Sequence, residues 1–266
     1  MKRVKYAIFF AAAALVCVLF LASVFSSYGV RAVTEDGTAA EAARIEEVSA
    51  PEAYGPTPTD AQMKYYKDEL AVFVHFSMST FNGKEWSDGT DPADTFNPGE
   101  GYDTDKWLEV FSDAGFKRII VTAKHHDGFN IYPTKITDYD VASSSWKDGK
   151  GDVLADVSAS CKKYGMDMGV YLSPWDQNLP SYPTDVGPDY NDTYVAQIKE
   201  IFSRYGGQDG TIVEFWMDGA NGNAANRPKY DIRRWWDTLF ELNPDIVFQQ
   251  NYGAPLRWVG NEAGYA

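Results

Sequence analysis

Cysteine is nearly absent from these 266 residues: there are two, Cys17 and Cys161. Cys17 sits in an N-terminal apolar run, so the body carries one and can form no internal disulfide. A small disulfide-stapled scaffold is excluded. Histidine is scarce, with only three residues. Bases are in deficit, 24 Lys and Arg against 38 Asp and Glu, for a formal charge of −14. Such a surface argues against nucleic acid, whose phosphates reward clustered Lys and Arg. It also disfavours anionic membrane surfaces and polyanionic substrates. No Gly-rich phosphate loop follows any apolar run, which weakens a nucleotide-binding reading. What is present is apolar and aromatic: 44% hydrophobic, 15% aromatic, with 8 Trp and 17 Tyr. A disordered tail and a collagen-like fibre are excluded, and the length suits one large domain or two small ones, with ample core. The aromatic richness is compatible with sugar binding.

The N-terminus predicts an export signal or an anchor. Lys2, Arg3 and Lys5 precede an apolar run from Ile8 to Phe25 that only Ser23 interrupts. A charged segment before a hydrophobic one is the signature of a secretory signal. Val30-Arg31-Ala32 is a small-residue cleavage site. Residues 1–32 are therefore a signal peptide or signal anchor, and the rest is expected to be secreted or displayed at the cell surface. Any membrane contact would run through that anchor. Beyond it lie 20 bases against 38 acids. Residues 33–60, with Pro51, Pro56 and Pro58, read as a linker with a short helix near Ala40–Val48. Residues 61–266 read as the catalytic domain.

That domain alternates strand and helix. Strands are predicted over Leu70–Ser77, Arg118–Lys124, Met168–Ser173, Thr211–Met217 and Ile246–Gln250. Helices are predicted over Asp103–Ala114, Asp152–Tyr164, Thr193–Tyr205 and Tyr230–Leu242, with Gly115, Gly165, Gly206 and Asn243-Pro244 as stops. Cys161 falls in the second helix, as a small buried side chain. Strands apolar on both faces and alternating with helices imply an α/β protein with a parallel sheet. A closed (β/α)8 barrel and an open doubly wound sheet both fit that pattern.

The strand ends favour the barrel. His75 ends the first strand, and His125-His126-Asp127 the second. Tyr171, Ser173, Trp175 and Asp176 end the third, and Glu214, Trp216 and Asp218 the fourth. A barrel gathers all such ends on one face, where its active site lies. Five units fill about residues 65–251, so a TIM-type (β/α)8-like barrel is expected to be incomplete at the C-terminus when the chain reaches Ala266.

Asp218 is the sharpest acid. It follows an apolar strand, precedes Gly219, and shares a strand face with Trp216 and Glu214. A carboxylate beside an aromatic platform is what a glycosidase needs. A second carboxyl is required, and Glu262 follows another aromatic run, with Gly260, Ala263 and Gly264 leaving room for substrate. All three His fall at the same face. A zinc site on His75, His125, His126 and Asp218 is conceivable, but adjacent His in a strand point to opposite faces unless the chain turns there, and no metalloprotease spacing is present.

Five segments then occur in an ordered set: Val74-His75-Phe76-Ser77, Lys84-Glu85-Trp86, Phe96-Asn97-Pro98, Ala123-Lys124-His125-His126-Asp127-Gly128-Phe129 and Glu214-Phe215-Trp216-Met217-Asp218-Gly219. Together they resemble the α-L-fucosidases of glycoside hydrolase family 29 over about residues 60–266. The resemblance implies a retaining exo-glycosidase that needs no metal and no cofactor, acts on a fucosylated glycan, and is built on a (β/α)8-like barrel followed by a β-sandwich. It implies Asp218 as nucleophile. It implies His75, His125 and His126 on the fucose hydroxyls, with Glu85, Trp86 and Tyr171 lining the pocket and Trp216 against the sugar's apolar face. The run Arg257-Trp258-Val259-Gly260-Asn261-Glu262 resembles the branch that prefers α-1,3 and α-1,4 linkages. That implies Glu262 as acid/base and Arg257 near the same pocket. The competing readings are a non-catalytic sugar-binding surface protein and a metal-dependent hydrolase on the same barrel.

Overall fold

The structure is a computed structural model that describes residues 51–182, 189–206, 212–218, 228–249, 254–257 and 259. The predicted signal segment, the helix near Ala40–Val48 and Glu262 lie outside the described residues. The chain divides into two units, Met1–Pro56 and Thr57–Ala266. Every strand and helix among the described residues belongs to the second unit.

That unit opens with a helix, α1, over Asp60–Asp68. Strand β1 (Ala71–Val74) follows, then a single helical turn, α2 (Ser79–Asn82). The remaining units are α3 (Thr104–Asp113), β2 (Arg118–Lys124), α4 (Val153–Tyr164), β3 (Asp167–Leu172), α5 (Tyr190–Ile201), β4 (Ile212–Trp216), α6 (Ile232–Leu242) and β5 (Val247–Gln249).

Every strand and helix predicted for this unit is present, β2 over the predicted residues and the others with shifted ends. Aspartates set several helix starts. Asp103 accepts from the Lys106 amide at 3.3 Å, and Asp152 accepts from Ala155 at 3.0 Å. Each satisfies a donor that the first helical turn leaves open. Gly165 ends α4 in the left-handed region at φ 65°. Helix α5 starts at Tyr190 rather than Thr193, because Asp189 caps it. It passes into a π-type turn over Phe202–Gly206. Strand β1 stops at Val74 instead of Ser77, where the chain turns toward α2.

Helix α1 falls partly in the predicted linker, and nothing in the apolar pattern announced it. Its signal was a capping box. The Gln62 amide donates to Thr59 Oγ1 at 3.2 Å, and the Thr59 amide to Gln62 Oε1 at 2.8 Å.

The five strands are all parallel and lie in chain order, β1-β2-β3-β4-β5. A doubly wound sheet reverses its order at a switch point; this one does not. A further parallel bridge pairs Gln249 with Leu256 beyond β5.

The two faces of the sheet differ. Ile119, Val121, Met168, Val170, Leu172, Phe215 and Phe248 join Leu154, Val157, Ile198 and Trp235 of the helices in one apolar core. Alternation sends their neighbours the other way. Those neighbours are Phe73, Arg118, Ile120, Thr122, Gly169, Tyr171, Glu214, Trp216 and Val247, a set that mixes polar and aromatic side chains with two buried aliphatic ones. The prediction of strands apolar on both faces thus holds fully for the helix-covered face and in part for the other, where Ile120 and Val247 lie among polar and aromatic side chains.

Candidate active site

The site is assembled at the C-terminal ends of β1 to β4. His75 lies just past β1, and its Nδ1 is 2.9 Å from Thr122 Oγ1 on β2. Its ring stacks on Phe73 at 4.6 Å between centroids. His125 and His126 follow β2 directly. Strand periodicity alone would send them to opposite faces. Instead the register slips between Thr122 and Lys124, and the chain turns, with the Gly128 amide donating to the His125 carbonyl at 3.1 Å. The two rings lie 4.1 Å apart. His125 also faces His75 at 5.5 Å and Tyr171 at 5.9 Å.

Tyr171 and Trp216 are register partners on β3 and β4. The Tyr171 hydroxyl donates to Asp218 Oδ2 at 2.8 Å. His126 Nε2 is 3.9 Å from the same oxygen. His126 is itself fixed: its Nδ1 is 2.7 Å from Ser173 Oγ, and its ring tilts over Trp175 at 5.0 Å. On the outer side Trp86, 60% exposed, sets its edge toward His126 at 6.2 Å. The Trp216 indole N–H donates to Glu214 Oε1 at 2.7 Å.

Six of the predicted residues are therefore linked in one contact network: His75, His125, His126, Tyr171, Asp218 and Trp86. Trp216 joins them through Phe73, 5.2 Å from its ring. Glu85 and Arg257 are exposed. Among the described residues neither forms a hydrogen bond or ion pair with the cluster.

The electrostatics favour neutral imidazoles. Burial pushes the His125 ring down to about 3, helped by the neighbouring His126 and His75. Burial lowers His126 against the opposing pull of Asp218, and His75 likewise. Burial raises the Tyr171 phenol, and the adjacent Asp218 raises it further. At neutral pH Tyr171 is thus a hydroxyl donor and the three imidazoles carry no charge. Among the described residues no group of three or more His, Cys, Asp or Glu side chains is arranged to hold a metal ion.

Beneath the site lies a pairing that the sequence did not announce. Lys124 is fully buried and donates to Asp176 Oδ2 at 2.9 Å, to Gln197 at 3.2 Å and to Tyr190 at 3.4 Å. This ties the end of β2 to the loop after β3 and to α5. Asp176 Oδ1 in turn accepts from the amides of Asn178 and Leu179. Gly128 sits at φ 90°, and a Cβ there would meet Asp176 Oδ1 at 2.3 Å. That explains the glycine after the His-His-Asp run. Asp127 is also fully buried; its Oδ1 takes the Phe129 amide at 2.6 Å, and burial pushes its carboxyl up to about 7. A lysine closing an apolar strand was the available signal for the pair.

A parallel α/β sheet with a carboxylate, imidazoles and aromatic rings gathered at its strand ends is an architecture of glycoside hydrolases. The comparisons narrow the class. A family profile described as Alpha-L-fucosidase matches residues 24–252, and the chain belongs to that family. Alpha-L-fucosidase 1 of Arabidopsis thaliana is 37% identical over 211 residues, 79% of this chain and 40% of the relative. Among solved structures, SpGH29 superposes with a TM-score of 0.75 at 45% identity, covering 80% of this chain and 47% of that one. A Ruminococcus gnavus GH29 fucosidase in complex with fucose gives 0.69 at 38% identity, covering 77% and 46%. The chain spans about two fifths of the length of the curated relatives it matches.

Proposed function

We propose that this chain is the nucleophile-bearing part of a retaining exo-α-L-fucosidase acting on fucosylated glycans. The observation that carries the reading is the placement of Asp218. It ends β4 with Tyr171 donating to one oxygen at 2.8 Å and His126 close by, in a chain of the alpha-L-fucosidase family. The fucose complex of the Ruminococcus gnavus relative supports the choice of sugar.

Asp218 attacks the anomeric carbon, and the glycosidic oxygen leaves as Glu262 protonates it. Water, deprotonated by the same Glu262, then releases fucose with its configuration retained. In the ground state Tyr171 holds Asp218 in position through its hydrogen bond. His75, His125 and His126 present neutral ring nitrogens to the sugar hydroxyls, and Trp86 gives an exposed aromatic edge. Glu85 and Arg257 complete the pocket when substrate is bound. Trp216 faces the apolar side of the sugar. The sequential sheet is part of a (β/α)8-type barrel, and the parallel bridge beyond β5 supports its continuation. The residues around Glu262 support a preference for α-1,3 and α-1,4 linkages. The apolar run at Ile8–Phe25 supports export or cell-surface anchoring.

The test is hydrolysis of an aryl α-L-fucoside by the full chain, followed by proton NMR. α-L-Fucose as the first anomer released is expected; β-L-fucose appearing first would refute a retaining mechanism. Fucosyl trisaccharides of each linkage decide the preference, with α-1,3 and α-1,4 cut faster than α-1,2 and α-1,6. A non-catalytic sugar-binding protein would bind fucose and release none.

A further inference from the structure

We propose that Glu214 is a positioning residue for Trp216: its buried carboxylate, charge-paired from below by Arg118, fixes the indole that walls the sugar site. The kinetic part of this inference rests on the fucosidase reading above.

Glu214 is fully buried, one step deeper along β4 than Trp216. A buried carboxylate persists only when paired and hydrogen-bonded. Both of its oxygens are engaged, for different ends. Oε2 accepts from Arg118 Nη1 at 2.8 Å. Oε1 accepts from the Trp216 indole at 2.7 Å and from Gln249 at 3.1 Å. Arg118, 3% exposed, is anchored in turn. Its Nη2 donates to Asp68 at 2.8 Å, and its guanidinium lies 4.8 Å over the Tyr65 ring. Both partners belong to α1. Lys64 of the same helix pairs with Asp68 at 2.7 Å and with Asp167 at the start of β3 at 2.5 Å. The charges thus alternate from α1 into the sheet and end on a neutral indole.

An indole carries a single N–H donor, so its direction fixes the ring's orientation. Glu214 takes that donor from below, and Phe73 meets the ring edge-on at 5.2 Å and 90°. A flip of the ring would carry the N–H away from the carboxylate. The opposite strand leaves space for this arrangement: Gly169 is the register partner of Glu214, and a Cβ there would sit 3.3 Å from Glu214 Cβ and 2.8 Å from Ile120 Cγ1. Trp216 is two residues from Asp218. An orientation imposed at Glu214 is therefore delivered beside the proposed nucleophile.

Two measurements on the full chain test this. In a proton–nitrogen spectrum of the indole groups, the Trp216 peak is the one lost in Trp216→Phe. Glu214→Gln weakens the acceptor and should move that peak upfield. An unmoved peak overturns the hydrogen bond and the proposal with it. If Glu214→Gln does not fold, Arg118→Lys keeps the charge, disturbs the pair and must move the same peak. The second measurement is a kinetic cycle on an aryl α-L-fucoside. Glu214→Gln should raise KM about tenfold with kcat within about twofold, because ring placement acts on binding. In the Trp216→Phe background the same change should move KM less than about twofold. Equal effects in both backgrounds would mean that Glu214 acts on the fold alone. A wild-type chain that hydrolyses no fucoside defeats the fucosidase reading, while the indole spectrum still decides this one.

Discussion

At the N-terminal end of the sheet, acids meet cations: Asp68 and Glu214 share Arg118, and Lys64 bridges Asp68 to Asp167. At the C-terminal end, Asp218 meets a phenol at 2.8 Å and an imidazole at 3.9 Å. The same strands carry both sets. Full ionic pairing holds a carboxylate in place and lowers its reactivity. A neutral hydrogen-bond donor orients a carboxylate but leaves its charge to meet a developing cation. On the proposed function, the difference separates an end built to stay as it is from one built to react.

The most forceful way to break this contrast is to neutralise the acid at the reactive end. Asp218→Asn should lower kcat on an aryl α-L-fucoside by about 10³-fold or more, with the urea midpoint little changed. An active variant would remove the distinction between the two ends. Next comes the buried pair under the site. Lys124→Met leaves Asp176 uncompensated and should cost about 3–5 kcal/mol in urea unfolding; a loss below about 1 kcal/mol would show that water reaches Asp176. Tyr171→Phe removes the donor to Asp218 and should lower kcat by about 10–100-fold, the worth of a hydrogen bond to a charged group. An unchanged rate would mean that the bond is incidental.

The smallest effect is a pH dependence. Burial raises Asp127 from 3.8 to about 7. The folded protein therefore keeps a proton that the unfolded chain has already released. That favours the folded state at low pH, and the advantage is lost as pH climbs through about 7. Asp127→Asn lacks the penalty. Its stability relative to wild type should grow by up to about 4 kcal/mol between pH 4 and pH 8. A flat difference would place Asp127 in contact with solvent.

Much of this was legible in the residues because period and punctuation are local. Apolar runs marked the strands, and Asp103, Asp152 and Gly165, read as helix ends, each cap a helix in the structure. The order of the strand ends was enough to gather His75, His125, Tyr171 and Asp218 at one edge. Pairings between distant segments were not legible. Arg118 with Glu214 and Lys124 with Asp176 are contacts set by register and by the slip near Lys124, which no single segment encodes. Helix α1 escaped notice because its four-residue capping box precedes a polar stretch with no buried residue. The convergence of His125 and His126 was expected from the family resemblance and not from strand periodicity, which stops applying where the strand ends.

The central claim is that Asp218 bonds to the anomeric carbon of fucose. The direct measurement is to treat the active full-length enzyme with a 2-deoxy-2-fluoro-fucosyl fluoride, digest it and locate the adduct by mass spectrometry. The account predicts one fucosyl label, carried by Asp218. A label on Glu214 or any other residue, or no adduct on an enzyme that the reagent inactivates, would contradict it.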